Sequence, residues 1–308
     1  MATQGDRRWH RLAAWLRTLD RIARIGITVL ACLVIGGCLY LLALFIVAPE
    51  RGEAWTVGRR PNQYFTELNP DREIFSEAVY ASVLGVAHNS GGSIEATLEA
   101  LVAGADVIEA DVAAVDGQLY VAHDPPLPFV GPRWFRGPRL DRVWAATYGA
   151  SAVMLDLKES SPAYLDLVID FLEVRQRTRQ VIISSRSPVA LQRLHRELPE
   201  VTLLLSVPDA ATLRSLQGNT MLLGTIDGIS VRHTVLDEEN AAWLEDRHLL
   251  TFAWTVNDMD RVNDLMRLGV DGITSDNLAI VSLLGSAGAP APQPIVPATP
   301  AAGGVGDV

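Results

Sequence analysis

Two carboxylates lie in the middle of an apolar run, and they are the residues of this chain best suited to chemistry. Glu109 and Asp111 lie within residues 106–112. Residues two apart on a strand share a face, so both side chains point the same way. Burying two charged groups side by side is costly unless a cation compensates them. The pair therefore indicates a metal site or a catalytic pocket, and a solvent-facing edge strand is the alternative.

A second apolar run, residues 152–157, supplies a third carboxylate. Asp156 shares one strand face with Met154 and with Lys158, which follows the run. Three carboxylates that converge form an oxygen-rich site suited to Ca²⁺ or Mg²⁺ rather than to zinc, which prefers cysteine and histidine. The alternative for Asp156 is an internal ion pair with Lys158, and the two arrangements can coexist.

The remaining candidates are one lysine and two histidines. Lys158 is the only lysine among 26 basic residues, and its compact ammonium can bind a phosphate oxygen as a point charge. His88 and His123 each end a predicted strand, and imidazoles suit proton donation and removal on either side of a scissile bond. The sequence contains no Gly-x-Ser-x-Gly, P-loop or Rossmann fingerprint, so acyl transfer and nucleotide-driven chemistry have no support.

These residues lie on alternating apolar strands and amphipathic helices. Such alternation indicates a parallel sheet that is covered on both faces. The run 118–123 follows an Asp116-Gly117 turn and extends the second strand as a hairpin, which leaves eight strands. The predicted strands are 83–88, 106–112, 118–123, 152–157, 180–184, 201–206, 228–231, 249–255 and 270–274; predicted helices include 93–104, 163–175, 188–197, 238–246 and 259–268.

The strand count predicts an α/β fold, a closed TIM (β/α)8 barrel, with an open doubly wound sheet as the alternative. His88, His123, Lys158, Trp254 and Asp276 all fall at or just beyond the carboxyl ends of strands. Active sites of barrels are built at that end, so these positions favour the barrel.

The N-terminal part of the chain predicts a transmembrane helix at residues 25–48, which carry no charge. At about 1.5 Å per residue, a helix of this length covers the roughly 30 Å hydrocarbon core. A signal peptide is the alternative, but its apolar core is normally only about 7 to 15 residues long. Six arginines and two aspartates precede the span, so the N-terminus is expected in the cytoplasm and the barrel outside it.

The predicted organisation is a cytoplasmic basic segment (1–24), the span (25–48), a tether (49–71), the barrel (72–285) and a disordered tail rich in Ala, Pro and Gly (286–308). The chain carries a net charge of −10 and its first 49 residues carry +4, so the remainder carries −14. An outer domain this acidic is a poor partner for nucleic acid. Both cysteines, Cys32 and Cys38, lie in the span, so no disulfide staples the outer domain.

Seven short stretches occur in one order across residues 83–280, namely 88–90, 94–97, 104–112, 123–124, 156–158, 254–257 and 269–276. In these stretches the sequence resembles the glycerophosphodiester phosphodiesterase family. Two positions depart from the family pattern: Asn89 stands where the family has a phosphate-contacting arginine, and Asp156 stands where it has glutamate.

The resemblance implies a TIM barrel and a set of roles. His88 and His123 would be the general acid and base, and Lys158 would stabilise phosphate charge. Asn89 and Trp254 would line the substrate pocket. Glu109, Asp111 and Asp156 would bind one divalent cation, Ca²⁺ or Mg²⁺.

The function expected from the sequence is a membrane-anchored, metal-dependent phosphodiesterase outside the cytoplasmic membrane. Its partners would be small-molecule or lipid phosphodiesters, specifically glycerophosphodiesters or lysophospholipid-type substrates. Two alternatives stay open: a catalytically weak barrel that binds phosphodiester lipids in the cell envelope, and a phospholipase D-like lyase acting on lysolipids.

Overall fold

The computed structural model describes residues 77–123 and 137–285, together with Ile35 and Phe75. The chain divides into two units, Met1–Glu53 and Ala54–Val308, and every element below belongs to the second. The predictions for residues 1–24, 25–48, 49–71 and 286–308 lie outside the described residues, apart from Ile35. Among the described residues, no helix combines the length and the apolar character that crossing a membrane requires.

Nine strands of the described part of the chain form one sheet. Eight of them run parallel, and β1 pairs with both β2 and β9, which closes the sheet into a barrel. The remaining strand, β3, pairs antiparallel with β2 across the Asp116-Gly117 turn. The strands are β1 Leu84–Ala87, β2 Val107–Val115, β3 Gln118–Val121, β4 Ala152–Leu157, β5 Gln180–Ser185, β6 Thr202–Val207, β7 Gly228–Arg232, β8 Leu250–Trp254 and β9 Gly272–Ser275.

Helices connect the strands of the barrel. Six of them begin after a serine or aspartate whose side chain accepts the backbone N–H three residues on, which satisfies a donor that has no partner within the helix. The helices are α1 Glu77–Tyr80, α2 Ile94–Val102, α3 Leu140–Ala146, α4 Pro162–Leu172, α5 Pro188–Glu197, α6 Ala210–Gln217, α7 Thr220–Leu223, α8 Glu238–Glu245, α9 Met259–Arg267 and α10 Leu278–Leu284.

The apolar core has an inner part within the barrel and a larger part between strands and helices. The inner part consists of Val86, Val107, Ala152, Met154, Ile182, Leu204 and Phe252. Because side chains alternate along a strand, Val107 and Met154 in the interior place Glu109, Asp111 and Asp156 on the same inward face. The site residues therefore lie directly above the inner core.

Three aspartates at the amino ends of strands tie neighbouring strands together. The Asp106 carboxylate accepts the Gly85 N–H at 2.9 Å, and those of Asp227 and Asp271 accept the N–H of Leu203 and Thr251, both at 2.7 Å. Each carboxylate thus satisfies a backbone donor on the adjacent strand. This bonding fixes strand register at the end of the barrel opposite the predicted site.

The closed barrel predicted from the sequence is confirmed, and the pairing of β1 with both neighbours excludes the doubly wound alternative. The edge-strand explanation for the carboxylate pair is wrong, because β2 lies between β1 and β4 and leaves Glu109 6% and Asp111 2% exposed. The second strand continues to Val115, three residues past its predicted end, because β3 pairs with that extension.

The start of β7 requires glycine, and its replacement is expected to destabilise the barrel. A Cβ atom at Gly228 would collide with the backbone carbonyl oxygen of Leu250, which strand pairing holds in place. Gly228→Ala should lower the free energy of unfolding by about 1–3 kcal/mol, measured by urea denaturation. Gly218→Ala at the end of α6, where the added Cβ has room, is the control; equal losses in both variants would contradict this packing.

Candidate active site

A cavity of about 300 Å³ opens at the carboxyl end of the barrel strands. Seven of the eight site residues predicted from the sequence line it, and the eighth, Asp111, is buried beside Lys158. A cavity of about 440 Å³ at the opposite end contains none of them. The residues lining the site cavity are His88, Asn89, Glu109, His123, Met154, Asp156, Lys158, Ser184, Arg186, Ser206, Ser230, Arg232, Trp254, Thr255 and Thr274.

The three predicted metal ligands converge. Glu109, Asp111 and Asp156 each offer a carboxylate oxygen, and these oxygens lie within 4.8 Å of one another. Strand register explains the approach, because Asp111 on β2 pairs directly with Asp156 on β4. Burial and the neighbouring Glu109 carboxylate raise the pKa of Asp111 to about 7.

One oxygen of this cluster has no partner among the described residues. Asp111 Oδ2 is buried and forms no hydrogen bond within that part of the chain. A buried polar atom without a partner is costly, and a cation bound to it would remove the cost. Carboxylate oxygens are ligands that Ca²⁺ and Mg²⁺ prefer, and this cluster offers three carboxylates. The residues present therefore fit a divalent cation.

Lys158 lies against the same carboxylates. Its Nζ is 2.7 Å from Asp111 Oδ1 and also bonds Asp156 Oδ2. Burial alone would lower the pKa of Lys158, but the surrounding carboxylates outweigh it and hold the pKa above its ordinary value. The ion pair considered for Asp156 is thus present together with the carboxylate cluster, and it fixes a permanent positive charge at the cavity.

His88 is held by a carboxylate on the far side of its ring. Its Nδ1 lies 2.7 Å from Asp276 Oδ1, and Asn257 donates to the other Asp276 oxygen at 2.8 Å. Burial lowers the pKa of His88, but the charges of Glu109 and Asp276 outweigh burial and raise it to about 9. The sequence placed Asp276 and Asn257 near the site without a role. In the structure they orient His88.

Asn89 touches two groups of the site. Its backbone has φ 52°, in the left-handed region that asparagine adopts more readily than most residues. This conformation directs its N–H at Glu109 Oε2, 2.5 Å away, while its side-chain Nδ2 lies 3.2 Å from His88 Nε2. Asn89 thus fixes one oxygen of a predicted metal ligand and contacts the ring nitrogen that Asp276 leaves available.

His123 and Trp254 complete the predicted set. Both line the cavity; His123 is exposed and Trp254 is half-buried. The guanidinium of Arg232 lies 5.4 Å from the centre of a Trp254 ring. Asp124, which follows His123 in the motif, lies outside the described residues.

The sequence analysis overlooked the side of the cavity that faces the carboxylates. The cavity is also lined by two serines and two arginines. Ser184 lies on β5 and Arg186 follows that strand, and Ser230 and Arg232 lie on β7. The two-residue alternation from Ile182, which is part of the inner core, predicts the inward direction of Ser184 and Arg186.

Comparison with known proteins finds a similarity in the C-terminal half of the barrel. The sequence model of the Glycerophosphoryl diester phosphodiesterase family matches residues 147–280, which include Asp156, Lys158 and Trp254. A glycerophosphodiester phosphodiesterase of Arabidopsis thaliana, GDPD4, is 27% identical over 128 residues, 40% of this chain and 39% of that protein. Over these residues the chain is similar to the glycerophosphodiester phosphodiesterase family. It spans about two fifths of the length of this curated relative.

Solved structures share the fold of this chain. A Silicibacter pomeroyi protein described as a glycerophosphoryl diester phosphodiesterase superposes with a TM-score of 0.54 at 19% identity, covering 66% of this chain and 94% of that one. An Oleispira antarctica phosphodiesterase, solved with its product sn-glycerol-3-phosphate, gives a TM-score of 0.54 at 19% identity, with 68% and 99% covered. Each likeness shows a shared fold over about two thirds of this chain.

Divalent cations are expected to stabilise this protein through Glu109. Adding Ca²⁺ or Mg²⁺ to chelator-treated protein should raise Tm, since a ligand at 100 times its Kd contributes about 2.7 kcal/mol to stability. Glu109→Gln should abolish the rise in a thermal-shift measurement. Glu95→Gln on the exposed face of α2 should keep it. A concentration of about 10 mM exceeds the Kd of even weak protein Ca²⁺ sites. If neither cation raised Tm at that concentration, the assignment would be contradicted.

The raised pKa of His88 predicts a pH-dependent share of stability in chelator-treated protein. The folded pKa of about 9 exceeds the ordinary 6.5, so this contribution is complete below about pH 6.5 and is lost as pH rises through 9. The stability difference between the wild type and His88→Gln, from urea denaturation, should therefore shrink from pH 6 to pH 10. A difference that stays constant over this range would contradict it.

Proposed function

We propose that this chain is a metal-dependent glycerophosphodiester phosphodiesterase, anchored in a membrane by residues 25–48, with its barrel outside the cytoplasm. The observation that carries the enzymatic part is an Asp111 oxygen that has no partner among the described residues, within a cluster of three carboxylates next to Lys158 and His88. A cation site, a fixed positive charge and a proton-transfer group thus meet at one cavity.

The relatives support the class of substrate. The Oleispira antarctica phosphodiesterase holds sn-glycerol-3-phosphate as its product, and the Arabidopsis thaliana relative is a glycerophosphodiester phosphodiesterase. A cavity of about 300 Å³ lies at the small end of ligand sites, which suits a compact polar molecule better than a diacyl lipid. We infer that glycerophosphodiesters are the main substrates, and lysophospholipid-type substrates would need their acyl chain outside the cavity.

Charge neutralisation is the first task of the site. A divalent cation held by Glu109, Asp111 and Asp156 would supply Lewis-acid stabilisation of the phosphate oxygens. Lys158 stays protonated and is placed by Asp111 and Asp156, so it offers a preorganised N–H donor to a phosphate oxygen in the same cavity. A fixed donor of this kind stabilises the charge that develops on phosphorus-bound oxygens as the P–O bond breaks.

Proton transfer is the second task, and we assign it to His88 and His123. Asp276 binds the Nδ1 proton of His88, so the ring exchanges protons at Nε2. One imidazole removes a proton from the attacking water as its oxygen bonds phosphorus, and the other gives a proton to the oxygen of the leaving alcohol as the P–O bond breaks. Asn89 donates to Nε2 when the ring is neutral and must turn its amide oxygen to the ring when Nε2 is protonated.

Removal of either histidine or of Lys158 is expected to reduce hydrolysis strongly. His88→Ala and His123→Ala should each lower kcat for glycerophosphocholine or glycerophosphoglycerol by about 10²–10⁴, and Lys158→Ala should lower it by at least about 10². Release of glycerol phosphate is measured with Ca²⁺, with Mg²⁺ and with chelator. His195→Ala on α5 is the control and should retain wild-type activity.

Two outcomes would contradict the enzymatic proposal. One is the absence of turnover of both glycerophosphodiesters and lysophospholipids under every metal condition; if cations still raised Tm, this would favour the barrel that binds phosphodiester lipids without cleaving them. The other is unchanged turnover in His88→Ala and Lys158→Ala. Formation of a cyclic phosphate in place of a monoester would favour the lyase alternative.

Membrane anchoring is supported by the uncharged residues 25–48 and by the arginines that precede them. The full chain, expressed in a bacterial host, should sediment with membranes and leave them only in detergent. A chain beginning at Ala54 should remain in the supernatant, because it lacks the apolar segment. Protease added to intact spheroplasts should digest the barrel. Recovery of the full chain in the soluble fraction, or a barrel protected from protease, would contradict this topology.

A further inference from the structure

The rim of the site cavity is divided by charge. Each inward-facing position at the carboxyl end of a strand contributes to this rim. Carboxylates occupy the part formed by β2, β4 and β9, and cations occupy the part formed by β4, β5 and β7. The charged residues that line the cavity are Glu109 and Asp156 on the acidic side, and Lys158, Arg186 and Arg232 on the basic side. Asp111 and Asp276, which contact Lys158 and His88, add to the acidic side.

The two arginines carry charge that the site itself does not use. Lys158 and a divalent cation would balance the three clustered carboxylates, and Asp276 balances protonated His88. Within residues 77–123 and 137–285, neither Arg186 nor Arg232 forms an ion pair with a carboxylate. Among the described residues, two positive charges therefore remain for the substrate, whereas a phosphodiester group brings only one negative charge.

The surroundings of the arginines also favour an anion. Three serines line the cavity beside the arginines. Ser184 lies on β5, which precedes Arg186, and Ser230 lies on β7 together with Arg232. Ser206 lies on β6, between these two strands, and pairs in register with Ser230. Hydroxyls and guanidinium groups together supply the donors that phosphate or carboxylate oxygens need. A choline or ethanolamine cation would instead compete with Arg232 for Trp254, whose ring centre the guanidinium approaches to 5.4 Å.

We propose that Arg186 and Arg232 select glycerophosphodiesters whose second alcohol carries an additional anionic group, a phosphate monoester or a carboxylate. This inference rests on the proposed function, because it concerns the leaving-group side of the same cavity. The carboxylate cluster and Lys158 would bind the phosphodiester, and the two arginines would bind the extra anion. They are specificity-determining residues and take no part in proton transfer.

The test compares two substrates that differ by one phosphate monoester, glycerophosphoinositol and its 4-phosphate. The full chain in detergent should prefer the 4-phosphate by at least about tenfold in kcat/KM, as expected for a charge-assisted bidentate contact. Arg186→Gln and Arg232→Gln should each remove most of this preference. Each should lower kcat/KM for the 4-phosphate compound and leave kcat/KM for glycerophosphoinositol unchanged. Arg214→Gln on α6 lies outside the cavity and should leave the preference unchanged.

Binding of both compounds by calorimetry in Ca²⁺ gives a readout that does not require turnover. Equal affinity and equal kcat/KM for the two compounds would overturn the inference while leaving the proposed function intact. An equal loss for both compounds in the arginine variants would also overturn it, because the arginines would then bind the scissile phosphate. Absence of hydrolysis of either compound, together with a tenfold binding preference that the arginine variants abolish, would overturn the proposed function and keep the anion site.

Discussion

The burial of three carboxylates at one point inside the barrel is the constraint on which the rest of the site depends. Glu109, Asp111 and Asp156 lie within 4.8 Å of one another, where their mutual repulsion and loss of hydration oppose folding. The structure compensates them with nearby positive charge and backbone donors. Lys158 bonds two of them, and the Asn89 N–H bonds the third. One Asp111 oxygen remains without a partner among the described residues, and that oxygen marks where a cation fits.

The fold makes this costly arrangement possible. Parallel strands in register place Asp111 opposite Asp156. The inner core, which includes Val107, Met154 and Phe252, fills the barrel beneath them and leaves the carboxylates no space to move away from one another. The aspartates that bond neighbouring strands at the other end hold the same register. The stability of the barrel is therefore used to hold like charges together, which is how a protein prepares a site for a multivalent cation.

Much of this was predictable from local sequence patterns. The alternation of apolar runs with helical patterns predicted the eight parallel strands. The two-residue spacing within each pair, Glu109 with Asp111 and Asp156 with Lys158, predicted that the two members of the pair share a face of their strand. The pairing of His88 with Asp276 was not predictable, because it joins β1 to the end of β9 across 188 residues. Arg186 and Arg232 obeyed the alternation, yet arginine at a strand end is equally compatible with a solvated surface, so only the closed barrel reveals their shared cavity.

The central claim is that the carboxylate cluster binds a divalent cation through Asp111 Oδ2, which has no partner in the part of the chain that the structure describes. Anomalous diffraction from crystals soaked in Mn²⁺, a hard cation that accepts the same oxygen ligands, tests it most directly. The account predicts a single strong peak in contact with Asp111 Oδ2, Glu109 and Asp156, with Lys158 still beside the cluster. Absence of a peak there under saturating Mn²⁺, with Lys158 alone bridging Asp111 and Asp156, would contradict it.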